Sequence, residues 1–552
     1  MTTLTTRLEE AIRSEMERNR IPGLAIALIR GDEVVFAEGY GVTSIEGSEP
    51  VTPETRFAIM SVTKPIVVTA MMQLRDAGHF MLDDPANRHL APQTEITNEW
   101  EAESPVTIRQ LMTHSAGLPV TTISIPAKLS LAEFVKTFAR TSRRPGTEII
   151  YANQGFDAMG VLIEKFSGAP YDVYLRDHIF EPLGMSATSC SNPVEGEPHA
   201  TGHFLSTVDG VVRTLPLPDW WTTIPSPAGA CWSNVGDVAS FLIAHLNGGA
   251  PIISPETTSE MQRLQFRQTG DRFHGTGQGL GFRVTDANWR KLICHGGDGS
   301  GFTAFAAAHP EQRAGVVLLM NGGGMQTARS VIGAAALRAL EPDPRVAHGP
   351  EATLPEPGIY KSTFWDIELE ARGDMITPIS GLVLAGENPP SKLLPTDDYF
   401  FEASGGMFDG FEVSVHREVV NGEWQTSIYG GVYPFTFIRT GDLPEEQPID
   451  ESADLIGTWH GKTQTPVGPL VVTVKIESSS GTIDTPFAQG LPLGDFAAEN
   501  GRLAGEFTMQ VPGIGETQMF LRLEFRGSRI VGKTHARSSF GEIAMDTELE
   551  RA

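Results

Sequence analysis

Ser61-Val62-Thr63-Lys64 sets a hydroxyl and an amine one helical turn apart at the head of an apolar segment. From Ser61 to Ala77 the apolar residues Val62, Ile66, Val67, Ala70, Met71 and Leu74 recur near the 3.6-residue period, which predicts a helix buried on one face. Residues three apart share a side of a helix, so Lys64 reaches Ser61. Pro65 would break a helix interior but costs little in the first turn, so the helix is expected to begin at about Ser61. The serine then sits where backbone N–H groups and the positive dipole end favour an anion. A hydroxyl is a poor nucleophile at neutral pH, and a lysine can act as its base only if burial and nearby charge lower the amine's pKa. The spacing alone is weak, because a chain this long contains about one S-x-x-K by chance.

Two further segments add weight. Tyr151-Ala152-Asn153 follows the loop Arg143-Arg144-Pro145-Gly146 and precedes the helical pattern Phe156, Met159, Leu162, Ile163, so a phenol and an amide stand together at a turn. His295-Gly296-Gly297 follows Leu292-Ile293-Cys294 and precedes the apolar stretch Phe302 to Ala308, as expected of a strand end whose glycines let a substrate backbone approach. Taken singly, Tyr151 reads as a core aromatic and His295 as a loop histidine.

The three segments in this order resemble the motifs of the serine β-lactamase and penicillin-binding-protein superfamily, and most of all class C β-lactamases, D-aminopeptidases and related esterases. Leu111-Met112-Thr113-His114-Ser115-Ala116-Gly117-Leu118-Pro119, Pro182-Leu183-Gly184-Met185 and Pro227-Ala228-Gly229-Ala230-Cys231-Trp232-Ser233 fall in the family's order, and the likeness covers about residues 5 to 340. It implies Ser61 as the acylated nucleophile, Lys64 and Tyr151 as the acid/base pair, and Asn153 as a substrate-binding residue. It also implies an oxyanion hole from the backbone N–H groups of Ser61 and Asp298, with Gly296 and Gly297 lining the substrate; such preorganised donors are worth about 3 kcal/mol in a transition state. The third motif departs from the class C pattern, which carries Lys-Thr-Gly where this chain has His295-Gly296-Gly297. Histidine there resembles D-aminopeptidases, some esterases and thioesterase-like peptide cyclases, and it lowers the case for action on β-lactams or carboxypeptidase substrates.

The implied fold is an α/β sandwich of the serine β-lactamase and DD-peptidase type. The residues agree with it: Leu24 to Ile29 and Val34 to Ala37 form a hairpin around Gly31-Asp32-Glu33, Phe302 to Ala308 and Gly315 to Met320 form strands, and Ala328 to Leu340 forms a helix stopped by Pro342. The loop Pro216 to Pro227 carries the adjacent indoles Trp220 and Trp221, read either as packing anchors or as a hydrophobic wall of the substrate cleft.

Composition shifts at Glu341-Pro342-Asp343-Pro344, after which short alternating segments replace helical patterns. Phe411 to Val415 and Trp424 to Tyr429 flank the turn Asn421-Gly422, and a second proline-bearing joint runs from Gly441 to Pro448 before Leu470 to Ile476 and Met519 to Phe525. Two small antiparallel β-barrels are expected, giving a catalytic domain over 1–343, a barrel over 344–448 and a lipocalin-like barrel over 449–552. Gly457-Thr458-Trp459 resembles the lipocalin first-strand motif, with a filled barrel favoured over a ligand calyx. A catalytic unit followed by two barrels resembles D-aminopeptidases, in which a loop of the last barrel enters the cleft; Gly490 to Asp495 and Pro512 to Glu516 are the candidate loops here.

The 552 residues carry 42 basic and 68 acidic side chains, a net charge of −26 that opposes nucleic acid or an anionic membrane as partner. No apolar run is long enough to span a bilayer, and the first twenty residues read as an acidic amphipathic helix without a signal core, so a cytoplasmic location is expected. Cys190, Cys231 and Cys294 are too few and scattered for a disulfide framework and read as buried thiols. Cys294 beside His295 points to the opposite face of a strand, which leaves Ser61 the better nucleophile. His199 and His203 are spaced for a metal pair, but Pro198 and Gly202 spoil a helix there, so no metal and no cofactor is expected. The expected partner is a small molecule or short peptide, with a homodimer as candidate assembly. The sequence thus favours an acyl-enzyme hydrolase of small amides, most of all D-aminoacyl amides or peptides. An esterase or peptide-cyclising acyltransferase is second, and an inactive ligand-binding homologue third.

Overall fold

The computed structural model describes residues 2–92, 94–119, 129–191, 198–205, 212–214, 226–267, 277–285, 291–340, 354–362, 367–380, 390–395, 401–404, 412–420, 423–430, 435–443, 450–465, 468–511, 515–538 and 541–552. Trp220 and Trp221, the linker 341–353 and residues 512–514 lie outside them.

Strand β1 (Gly23–Arg30) shows how the first unit is layered. Leu24, Ile26 and Leu28 enter one apolar core, while the alternate residues Ala25, Ala27 and Ile29 enter another. A strand apolar at both parities is buried on both faces, and its neighbour Ala314–Met320 shares that pattern, whereas its other neighbour, the edge strand Glu33–Gly41, is exposed or half-buried. The sheet is built from β1, β2 (Glu33–Gly41), β3 (Phe266–Arg267), β4 (Gly277–Gln278), β5 (Arg283–Thr285), β6 (Leu292–Gly299), β7 (Phe302–His309) and β8 (Ala314–Met320). Its order is β2-β1-β8-β7-β6-β5-β4-β3, antiparallel throughout.

Helices α1 (Thr2–Arg18) and α4 (Gln326–Leu340) cover one face, where Leu8, Ile12, Ala328, Ile332 and Ala336 close the core. The helical middle of the chain covers the other, with α2 (Thr63–Asp76) packed against α3 (Gln154–Ser167). The helix expected from Ser61 is preceded by a single 3₁₀ turn, Met60–Val62, and becomes α-helical at Thr63. It is also buried all round from Thr63 to Met72 rather than on one face, because it runs inside the helical layer between the sheet and α3. No helix among the described residues is long and apolar enough to cross a membrane.

The remainder of the chain is antiparallel β. Eight strands from Gly358–Ser362 to Phe435–Gly441 close into a barrel, the first pairing with the last through Tyr360 and Arg439. Tyr360, Leu369, Ile376, Val415, Ile428 and Phe437 are buried apolar residues of its strands. Nine further strands, from Gly457–Thr465 to Gly541–Arg551, form one sheet whose two edges, Ala488–Pro492 and Gly494–Glu499, are joined through Leu493 alone. Leu493 N–H donates to Gly481 O at 2.8 Å, and Phe496 lies against Gly481, so the sheet curls back on itself and is nearly closed. Residues 490–495, one candidate for reaching the cleft, are spent on this seam. Trp459 is buried, donates its Nε1–H to Leu455 O at 2.8 Å, and has the Arg551 guanidinium 5.5 Å from its ring centroid. Val472, Val474, Ile483, Leu503, Leu521 and Leu549 pack in the same core.

Candidate active site

Ser61 occupies the 3₁₀ turn that leads into α2, and its backbone is fixed from both sides. Ile59 N–H donates to Cys231 O at 2.9 Å, and Cys231 N–H donates to Thr63 Oγ1 at 3.2 Å. Phe57 and Ala58 pair with Ser233 and Trp232 as a two-stranded ribbon just before the turn. Met60 takes φ of 49°, a left-handed conformation that costs a side-chain-bearing residue about 1 kcal/mol or more. The turn is therefore held in place by its surroundings rather than by local preference.

Lys64 is wholly buried, and its Nζ donates to Ser61 Oγ at 2.9 Å, Asn153 Oδ1 at 2.8 Å and Ala228 O at 2.7 Å. Three acceptors match the three N–H bonds of an ammonium. Tyr151 donates its phenol to Ser61 Oγ at 2.7 Å, so the hydroxyl oxygen receives two donors at once. Burial pushes Lys64 down to about 7, while the charge of Asp157 works in the opposite direction. Near neutral pH a free-amine fraction is thus available to take the serine proton.

The surroundings of this triplet were not legible in the sequence. Asp157 lies on α3 one turn after Asn153, fully inside the helical layer, and accepts a hydrogen bond from Ser226 Oγ at 2.6 Å. Burial pushes its carboxyl up to about 7, against the Ser226 hydrogen bond and the Lys64 charge. Ser226 Oγ also accepts from Ala228 N–H at 3.1 Å, and Ala228 O holds Lys64, so acid and amine are tied to one short segment. The signal was present as an acid inside the apolar run Phe156 to Ile163. His114, quoted above only within a supporting segment, stacks on the Tyr151 ring at 4.4 Å and accepts Ala152 N–H at Nδ1. Burial holds it well below the ordinary histidine range, so it is a neutral wall behind the phenol.

Asp157→Asn is expected to move the acid limb of the kcat/KM pH profile to lower pH. The carboxylate raises the Lys64 pKa, so its removal lets the amine lose its proton earlier. An unmoved or upward-shifted limb would contradict that coupling.

Strand β6 brings its third-motif residues to the same place. Gly297 faces the nucleophile turn: a Cβ there would stand 2.4 Å from Ile59 O and 3.0 Å from Ser61 N. Gly296 faces the other way, where a Cβ would stand 2.8 Å from Arg329 Nη1. The glycines therefore make room for the protein's own turn and guanidinium, a tighter requirement than room for a substrate alone. Gly297→Ala is expected to displace Ser61 and lower kcat/KM about 10²-fold, measured beside a melting curve. Unchanged kinetics would contradict the close approach.

Asp298 carries its side chain to the Arg329 side, pairing with Nη1 of that residue on α4 and accepting from Thr303 Oγ1 at 3.2 Å. Its carboxylate is thus engaged behind the sheet. Among the described residues β6 pairs with β5 only from Leu292 to Cys294, so the edge from His295 onward has no strand on that side. His295 is buried, its Nδ1 is 2.7 Å from Gly296 O, and its ring lies 6.4 Å from that of Tyr151. Burial, with a smaller contribution from the Lys64 charge, pushes it down to about 3, so it is neutral near pH 7. Cys294 points into the opposite core, and burial pushes its thiol up to about 12. His203 has both ring nitrogens engaged, Nδ1 near Asn321 O at 2.9 Å and Nε2 accepting from Ile45 N–H at 3.2 Å.

A helix-covered antiparallel sheet with this arrangement at its edge is the fold of the serine β-lactamase type, and the comparisons agree. The Beta-lactamase family model matches residues 8–340, and the chain belongs to that family. It is 24% identical over 321 residues to the protein flp of Staphylococcus aureus (strain MW2), covering 57% of this chain and 62% of that protein. Beta-lactamase-like protein 2 of Dictyostelium discoideum is 26% identical over 302 residues, covering 51% and 53%. The chain therefore spans less than two thirds of the length of these curated relatives. Among solved structures, the octameric penicillin-binding protein homologue from Pyrococcus abyssi aligns with a TM-score of 0.56 at 24% identity, covering 79% of this chain and all of that one. EstCE1, a hydrolase with promiscuous acyltransferase activity, aligns with a TM-score of 0.53 at 20% identity, covering 61% and 98%. These two likenesses concern the fold.

Proposed function

We propose that the protein hydrolyses small amides through an acyl-enzyme on Ser61, with D-aminoacyl amides or short peptides as its best substrates. The observation that carries the chemistry is the pair of hydrogen bonds to Ser61 Oγ from Tyr151 and from a lysine held at about 7. Neutral Lys64, together with Tyr151, takes the Ser61 proton as Oγ attacks the carbonyl carbon, and the same groups deliver that proton to the leaving amine. Water then attacks the ester, giving its proton to the relay, which returns a proton to Ser61 Oγ as the acyl C–Oγ bond breaks and the carboxylic acid departs. Ser61 and Asp298 N–H groups are the proposed oxyanion donors, supported by the contact of Gly297 with Ser61 N and by the open edge of β6. Asn153 is assigned to substrate binding beside its contact with Lys64. We assign the chemistry to the catalytic domain over 1–343, which precedes the barrels over 344–448 and 449–552.

The third motif supports the proposed substrate class. A neutral, buried histidine offers no cation for a substrate carboxylate, which weakens the case for β-lactams and for D-Ala-D-Ala ends. A panel of D-aminoacyl amides, short-chain esters, a peptide ending in D-Ala-D-Ala and a chromogenic β-lactam tests this. Amides or simple esters are expected to exceed the β-lactam by about 10²-fold or more in kcat/KM, roughly 2.7 kcal/mol. His295→Lys should narrow the gap mainly through KM for carboxylate-bearing substrates. A β-lactam or D-Ala-D-Ala substrate as the best of the panel would overturn the substrate assignment, and esters alone would shift it to an esterase.

A further inference from the structure

Two of the three cysteines, read from the sequence as scattered thiols, meet in the fold. Ser189 and Trp232 form an antiparallel bridge in which each N–H donates to the other's carbonyl, at 3.1 and 2.8 Å. One residue beyond that bridge stand Cys190 and Cys231, and in an antiparallel pair the position next to a hydrogen-bonded one sets opposed Cα atoms about 4.5 Å apart. That spacing falls within the range a disulfide spans. The two sulfurs stand 2.7 Å apart, closer than unbonded sulfur atoms rest, and both residues are buried.

We propose that Cys190 and Cys231 are an oxidation site whose product is a disulfide bracing the nucleophile turn. Cys231 is the residue whose carbonyl holds Ile59 N–H and whose N–H reaches Thr63 Oγ1, the two residues bracketing Met60–Val62. A bond to Cys190 would lock this brace to the bridge residue Ser189 and close a loop with a sequence separation of 41. The hydrogen bond with the Cys231 sulfur, together with burial, raises the Cys190 thiol well above its usual range, which resists alkylation in the folded protein.

The oxidant is a peroxide. One sulfur attacks a peroxide oxygen, the O–O bond breaks, and a sulfenic acid and one water form. The second sulfur then displaces the sulfenic oxygen as another water and makes the S–S bond. Two electrons pass from the two sulfurs to the peroxide, and both thiol protons leave in the waters. Cys294, on the far side of β6, supplies no partner.

Thiol counting under denaturing conditions tests the site on the full chain. After mild hydrogen peroxide treatment the intact mass is expected to fall by about 2 Da, and one thiol, Cys294, to take up an alkylating reagent. After dithiothreitol three thiols should react, and peptide mapping of the oxidised form should recover Cys190 linked to Cys231. The oxidised protein should melt about 3 °C or more above the reduced one. Cys190→Ala should abolish that difference. Three reactive thiols after peroxide, a mass gain from sulfinic acid in place of the loss, a link to Cys294, or a peroxide-dependent melting shift persisting in Cys190→Ala would each overturn the proposal.

Discussion

Ser61→Ala is expected to lower kcat roughly 10³-fold or more while the melting temperature changes little. The hydroxyl is half-buried at the cleft and contributes no core packing. Its removal leaves Lys64 Nζ with two remaining acceptors, Asn153 Oδ1 and Ala228 O, so the buried amine keeps most of its hydrogen bonding. The backbone of the turn is held by Cys231 rather than by the serine side chain. Kinetics on the best substrate of the panel, beside a thermal melt, separate chemistry from folding. A variant that retains a tenth of the wild-type rate would remove Ser61 from the chemistry.

Lys64→Met and Tyr151→Phe should each cost about 10³-fold, and the double variant about the same rather than the product of the two. Both donors converge on one oxygen at 2.9 and 2.7 Å, and the Lys64 Nζ lies 4.8 Å from the Tyr151 ring centroid. Groups so placed act as one proton relay, and a relay missing either member has lost its function. Methionine keeps the buried stem of Lys64, which limits the cavity that alanine would leave. Losses that add in log rate would show that the two groups act independently.

The legible part of this protein is its local part. S-x-x-K lies within one helical turn, so its geometry follows from helix spacing alone, and the unbroken apolar runs of β1, β7 and β8 mark strands buried on both faces. The expected hairpin pairs as β1 with β2, and the expected strand pair around Asn421-Gly422 appears as Glu412–Val420 against Glu423–Gly430. What escaped reading depends on contacts between distant segments. Arg329 reaches Asp298 from a different element, and nothing in the spacing around either residue points to the other. The close approach that requires Gly297 is made by Ile59 and Ser61, more than two hundred residues earlier. Cys190 and Cys231 looked scattered because sequence distance is no guide to which segments the fold brings together. The all-round burial of α2 was hidden because a helix inside a helical layer carries apolar and small residues on every side, so its periodicity understates its burial.

The central claim is that Ser61 is the residue that becomes acylated. Labelling with a fluorophosphonate, followed by intact mass and peptide mapping, tests it most directly. One adduct per chain, located on the peptide containing Ser61 and absent from Ser61→Ala, is the result predicted. An adduct on any other residue, or one that persists in Ser61→Ala, would contradict it.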